Sequence, residues 1–102
     1  MASEALATIV EMFRSAPLLA GDDIGAMRTA MSTLTAAQSL AEDIDYVPTS
    51  LGGVGAEWAG AREAGPADRT VLYFHGGAYC LGSIATHRTL VGNLARAASA
   101  RV

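Results

Sequence analysis

The tetrapeptide Val71-Leu72-Tyr73-Phe74 is an unbroken apolar run that empties directly into His75-Gly76-Gly77-Ala78-Tyr79-Cys80-Leu81-Gly82. An apolar run without alternation suits a strand covered on both faces, which places it inside a layered α/β domain. Beyond the glycine loop, Leu90, Val91, Leu94 and Ala98 recur at helical spacing from about Ala85 to Ser99, with Ser83 or Thr86 available as the cap. Strand, glycine loop and helix make half of a βαβ unit, and its second parallel strand is expected to begin at Ala100-Arg101-Val102.

The preceding residues change period twice. Leu6, Ile9, Val10 and Phe13 share one side of a first helix, with Ser3 as N-cap and Pro17 closing the segment. Gly21-Asp22-Asp23 offers a second cap, and Ile24, Met27, Met31 and Leu34 form a narrow stripe on a helix expected to reach about Leu40. Both stripes suit helix or core packing, and both suit a mobile lid; methionines fill a core gap and an adaptable pocket wall equally well. Around Glu42 the period becomes two. Ile44 and Tyr46 alternate with Asp43 and Asp45, and Val54, Ala56 and Trp58 alternate with Gly55 and Glu57, which predicts two half-buried strands. Pro48-Thr49-Ser50-Leu51-Gly52-Gly53 carries the turn chemistry of a hairpin, so the pair is expected to be antiparallel. Gly65-Pro66-Ala67-Asp68 reads as the next exposed loop.

The bulk numbers narrow the function classes. With 102 residues, 51% hydrophobic and 17% charged, the chain is globular and forms one domain or part of one. Its net charge of −3 is spread over isolated acids, and Arg supplies all seven positive charges, which argues against nucleic-acid or anionic-membrane partners. No segment approaches the roughly 18 uninterrupted apolar residues of a membrane span. The single Cys80 cannot form an intrachain disulfide, and Met1-Ala2-Ser3-Glu4 lacks the basic start of an export signal, so a cytoplasmic setting is expected.

A glycine-rich turn between strand and helix has several possible uses. Phosphate binding fails on residues: Gly77 and Gly82 have the G-x-x-x-x-G spacing, but Ser83 stands where the phosphate-binding Lys belongs, and no G-x-G-x-x-G string is present. A metal site from His75, Cys80 and His87 has no recognisable spacing, and no metal or cofactor is expected. Cys80 or Ser83 with His87 as base lacks a third orienting group. A glycine pair also serves as a plain tight turn. The alternative with chemistry in it is a pair of bare backbone donors for a carbonyl oxygen that becomes anionic.

The stretch from Val71 through Tyr79, with Leu81-Gly82-Ser83 and Thr86-His87-Arg88, closely resembles the oxyanion-loop region of hormone-sensitive-lipase-like (family IV) esterases and lipases, whose H-G-G-G loop is matched here by His75-Gly76-Gly77-Ala78. The resemblance implies the amino-terminal part of an α/β-hydrolase: residues 1–40 a helical cap segment, and residues 41–102 the first three strands, the oxyanion loop and the following helix. It implies hydrolysis of short-chain carboxylic esters, with Gly76 and Gly77 donating N–H groups to the oxyanion, Ala78 a less defined contributor, and His75 and Tyr79 supporting the loop. Ala78 replaces a common glycine, a change easily tolerated at negative φ.

The resemblance also exposes what these residues lack. Such acyl transfer needs a serine on a G-x-S-x-G elbow, then an acid and a histidine in chain order. No serine here sits in that frame, and His75 and His87 precede the place for it. The chain is therefore expected to carry the oxyanion loop but no triad, to be inactive alone, and to self-associate through an unpaired Val71–Phe74 edge or bind a complementing chain. A non-catalytic binding or assembly module with an esterase-like half-fold is the alternative reading.

Overall fold

The computed structural model describes residues 1, 3–15, 21–63 and 68–102. Helix α1 spans Glu4–Ser15 and starts where expected, with the Ser3 hydroxyl accepting from the Leu6 N–H at 3.2 Å. Pro17 and most of the loop at 65–68 lie outside the described residues. The α1 stripe stays open: Leu6, Ile9, Val10 and Phe13 are each between 38% and 48% exposed. Packing of that stripe into a core is not realised among the described residues.

Helix α2 spans Ile24–Ala36, with the Asp23 carboxylate accepting from the Ala26 N–H at 3.0 Å. It ends four residues before the expected Leu40, once Met27, Met31 and Leu34 have been half-buried on the side that meets the last helix. The polar residues Gln38 and Ser39 follow, and no apolar contact remains to extend the helix.

Strands β1 (Ile44–Leu51) and β2 (Val54–Ala61) form an antiparallel hairpin running from the Ile44 and Ala61 pair to the Leu51 and Val54 pair. The expected six-residue connection shrinks to Gly52-Gly53, with φ of 58° and 84°, because two left-handed residues match the twist of the flanking strands. Pro48 is consequently a strand residue opposite Glu57.

The inward face is also corrected. Ile44, Tyr46 and Pro48 pair with Ala61, Ala59 and Glu57, so β2 turns its odd-numbered residues toward the interior side, where Ala59 is 1% exposed. Trp58, expected to point with the core set, pairs with Val47 on the opposite face and is covered by the Arg101 guanidinium, 4.4 Å from its ring centroid. Ala59 and Ala61 are small enough for a helix to approach the sheet; a Trp in their place would hold it off.

That helix is α3, Ile84–Ala98. Ser83 is its N-cap and Thr86 completes a reciprocal capping box, so the two candidates act together. Ser99, at φ 49°, ends the helix in the left-handed conformation and returns the chain to the sheet. Val102 then exchanges both backbone hydrogen bonds with Ala59 (2.8 and 2.9 Å), while Arg101 forms a parallel bridge with Thr70. The terminal residues therefore lie between β2 and the 70–71 segment, as the βαβ expectation requires. Ile44, Ala59, Ala95 and Val102 are the buried core, with Tyr46, Val71, Tyr73, Val91 and Leu94 packed around them.

One expected strand does not form as a strand. Val71–Phe74 is extended chain with a ladder contact only at its start, through the Val71 N–H to the Arg101 carbonyl at 2.9 Å. Leu72 and Phe74 are 65% and 81% exposed. A parallel ladder needs a hydrogen-bonding neighbour at each step, and among the described residues none lies beside Leu72 to Phe74.

Candidate functional site

The loop after Phe74 is shaped by two close backbone approaches. Gly77, at φ 138°, turns its carbonyl into the loop, where it accepts from the N–H groups of Cys80 (3.1 Å) and Leu81 (2.7 Å). A β-carbon at Gly77 would collide with the Leu81 carbonyl. Gly82, at φ 81°, passes so near the Gly76 carbonyl and the rings of His75 and His87 that a side chain there would meet all three. These two glycines are demanded by space as well as by φ.

Gly76 differs. Its φ is not positive and nothing lies within 4 Å of where a β-carbon would sit. Neither the Gly76 N–H nor the Gly77 N–H donates to any described residue. The other N–H groups from Leu72 to Tyr79 likewise donate to no described residue, so these two amides belong to a longer unpaired stretch.

Ala78 and Tyr79 follow at φ 53° and 62°. The condition for easy tolerance of a methyl at Ala78, a negative φ, is not met: Ala78 and Tyr79 are both left-handed in the turn that brings the Cys80 N–H to the Gly77 carbonyl. Ala78 consequently bears a strain that the replaced glycine would not, of about 1 kcal/mol. The Tyr79 side chain is fully exposed.

His75 and His87 flank the turn. Their rings stack with centroids 5.2 Å apart, and the His75 Nδ1 lies 2.9 Å from the Gly76 carbonyl. The His87 Nδ1 sits 3.1 Å from the Ser83 carbonyl and 2.9 Å from the Thr86 hydroxyl, while Tyr73 stands 6.3 Å away, tilted. Both imidazoles are engaged with backbone at the loop and helix start. Among the described residues no group of three His, Cys, Asp or Glu side chains is arranged to hold a metal ion.

Below the loop, α3 is clamped to the hairpin by a bidentate pair: the Arg88 guanidinium donates to both Glu57 carboxylate oxygens at 2.8 and 2.6 Å. The Glu57 side chain is only 8% exposed, and its hydrogen bonds hold the Arg88 guanidinium further above its ordinary value. The Tyr46 hydroxyl donates to the Arg88 carbonyl at 3.0 Å, and burial first, then the Glu57 carboxylate, push that phenol upward. The sequence signal for this clamp was an acidic residue in an otherwise apolar strand, which alternation alone assigns to solvent.

A cleft of about 560 Å³ opens between β2, the Val71–His75 segment and α3, with Trp58, Leu72, Phe74, Ile84 and Val91 in its walls. Gly76, Gly77, Ala78 and Tyr79 are not among its lining residues. The unspent amides and the apolar cleft are therefore two separate features.

Comparison with known proteins bears on this arrangement. Residues 71–102 match a family model described as an α/β-hydrolase fold. No curated protein matches the chain. Among solved structures, an esterase from the bacterial hormone-sensitive lipase family is 34% identical with a TM-score of 0.84, the alignment covering 100% of this chain and 34% of that one. The esterase EstE5, soaked with p-nitrophenyl butyrate, is 32% identical with a TM-score of 0.82 over 98% of this chain and 34% of its own. A hormone-sensitive lipase from a metagenome library is 30% identical with a TM-score of 0.80, over 99% of this chain and 33% of its own. The chain spans about a third of the length of each of these relatives.

Proposed function

Because the chain belongs to the hormone-sensitive-lipase-like esterases of the α/β-hydrolase fold, we propose that it supplies the oxyanion loop and part of the cap of a serine carboxylesterase acting on short-chain acyl esters. The observation that carries this reading is that the N–H groups of Gly76 and Gly77, in the loop His75-Gly76-Gly77-Ala78, donate to no described residue. Attack by a serine supplied elsewhere in the complete polypeptide drives the ester carbonyl oxygen to an anion. Fixed amides already aimed at that oxygen stabilise it without reorganising, and one such donor is typically worth about 3 kcal/mol of barrier. His75 braces the loop through the Gly76 carbonyl and takes no part in proton transfer. Helices α1 and α2 form part of a cap that limits water at the site, and the lone Cys80 fits a cytoplasmic enzyme.

The test is turnover of p-nitrophenyl butyrate by the complete polypeptide, by residues 1–102 alone, and by a Gly77→Pro variant of the complete polypeptide. The expected results are turnover, none above background, and a large fall in kcat with a smaller change in KM, since proline removes the amide. A folded Gly77→Pro enzyme with unaltered kcat removes Gly77 from the hole, and serine-dependent turnover by residues 1–102 removes the division of labour.

A further inference from the structure

The Arg28 side chain of α2 reaches 52 positions along the sequence to donate its Nε–H to the Cys80 carbonyl at 2.6 Å. The peptide unit that carries this carbonyl also carries the Leu81 N–H, which donates to the Gly77 carbonyl at 2.7 Å. The Gly77 carbonyl in turn belongs to the peptide unit whose N–H is that of Ala78. The Cys80–Leu81 peptide unit thus accepts from the Arg28 guanidinium on one side and donates to the Gly77 carbonyl on the other, linking the helix to the glycine turn.

Hydrogen bonds in such a chain polarise one another, and a full positive charge at its head strengthens every member. The geometry matters as much as the charge. Gly77 sits at φ 138° with its carbonyl held by the Cys80 and Leu81 N–H groups; turning that peptide plane would redirect the Ala78 amide directly and disturb the turn at which the Gly77 amide is presented. We infer that Arg28 is a positioning residue for the oxyanion loop, tying the helical segment to the Gly77 turn so that loop geometry depends on α2 being docked. Arg28 touches no reacting atom, and the inference rests on the esterase reading above.

The experiment compares Arg28→Met, Arg28→Lys and Thr29→Ala in the complete enzyme with p-nitrophenyl butyrate. Thr29 hydrogen-bonds only within its helix, to the Gly25 carbonyl at 3.0 Å, and so reports on helix stability alone. Arg28→Met is expected to lower kcat about 10-fold with KM held within about twofold, as small misplacements of catalytic groups do. Arg28→Lys is expected to recover most of that loss, and added methylguanidinium to restore part of the Arg28→Met rate while leaving Thr29→Ala unaffected. The Leu81 amide proton resonance is expected to move upfield in Arg28→Met, a readout independent of turnover and open to Arg28→Lys if the methionine variant does not fold. An unchanged kcat in an enzyme that Gly77→Pro inactivates, an equal loss in Thr29→Ala, or an unmoved Leu81 resonance overturns the relay. If Gly77→Pro is itself active, the oxyanion reading fails, and the Leu81 resonance still decides the relay.

Discussion

The chain contains two adjacent glycine pairs that read alike and do different things. Gly52-Gly53 turns the β hairpin with both residues left-handed, and neither would meet a neighbour if it carried a β-carbon. Only backbone conformation requires glycine there. At Gly76-Gly77 the first residue has an ordinary φ with open space beside it, and the second is pinned by contact with the Leu81 carbonyl. The hairpin pair closes a paired ladder from Leu51 and Val54 to Ile44 and Ala61, whereas the loop pair follows the extended residues Leu72 to Phe74, which have no ladder partner among the described residues. In neither pair does an N–H donate to a described residue, so what separates the two pairs is the crowding at Gly77.

The sharpest way to break this comparison is to add one methyl group to each pair in the complete polypeptide. Gly77→Ala forces the loop open and is expected to lower kcat for p-nitrophenyl butyrate by about 100-fold. Gly53→Ala is expected to leave kcat unchanged and to cost about 1 kcal/mol in denaturant-midpoint measurements. Equal effects on kcat would erase the distinction.

The scaffold shared by the two regions is probed next. Arg88→Met leaves the Glu57 carboxylate, 8% exposed, without its partner, and is expected to destabilise the protein by about 3 kcal/mol. Glu57→Gln keeps a hydrogen-bond acceptor and leaves Arg88 able to turn to solvent, so its cost is expected to be smaller, about 1 kcal/mol. Urea unfolding of the pair of variants checks the order, which reverses if the clamp contributes through charge on the arginine alone.

Within the loop, Ala78→Gly relieves a left-handed alanine and is expected to stabilise the protein by about 1 kcal/mol, less whatever the freer unfolded chain takes back. A thermal melt that falls would show that the Ala78 methyl makes a contact worth more than its strain.

The smallest effect belongs to the base of the hairpin. Asp43 is held below its ordinary value of 3.8 chiefly by its hydrogen bonds from Arg96, with both side chains about half exposed. The folded state thus releases this proton more readily than the unfolded state. Its contribution is present above about pH 3.8 and disappears as acid takes the pH through the lowered folded value. Asp43→Asn is expected to flatten that portion of the stability curve slightly, and a curve that steepens there would reverse the sign.

How much was legible in the residues depended on whether the cause was local. Caps, hairpin and helices could be read because Ser3, Asp23 and Ser83 act within three residues of themselves and the Ile44 and Tyr46 alternation has a fixed period. The α2 terminus and the inward face of β2 could not, since each was settled by what the element packs against. Alternation carried the wrong sign at Val54–Trp58: it set Val54, Ala56 and Trp58 inward, whereas the approach of α3 put Glu57, Ala59 and Ala61 on the inner face.

The amino-acid sequence alone determined the order of elements and the loop His75-Gly76-Gly77, because propensity, capping and glycine's permissiveness act on neighbouring residues. Tertiary structure alone decided that Ala78 is left-handed, that Val71 is joined to Arg101 at the first step of the 71–74 segment, and that Arg28 meets Cys80. Those outcomes depend on hydrogen-bonding groups from distant segments arriving at one place, and no local rule counts a partner that lies 52 positions away.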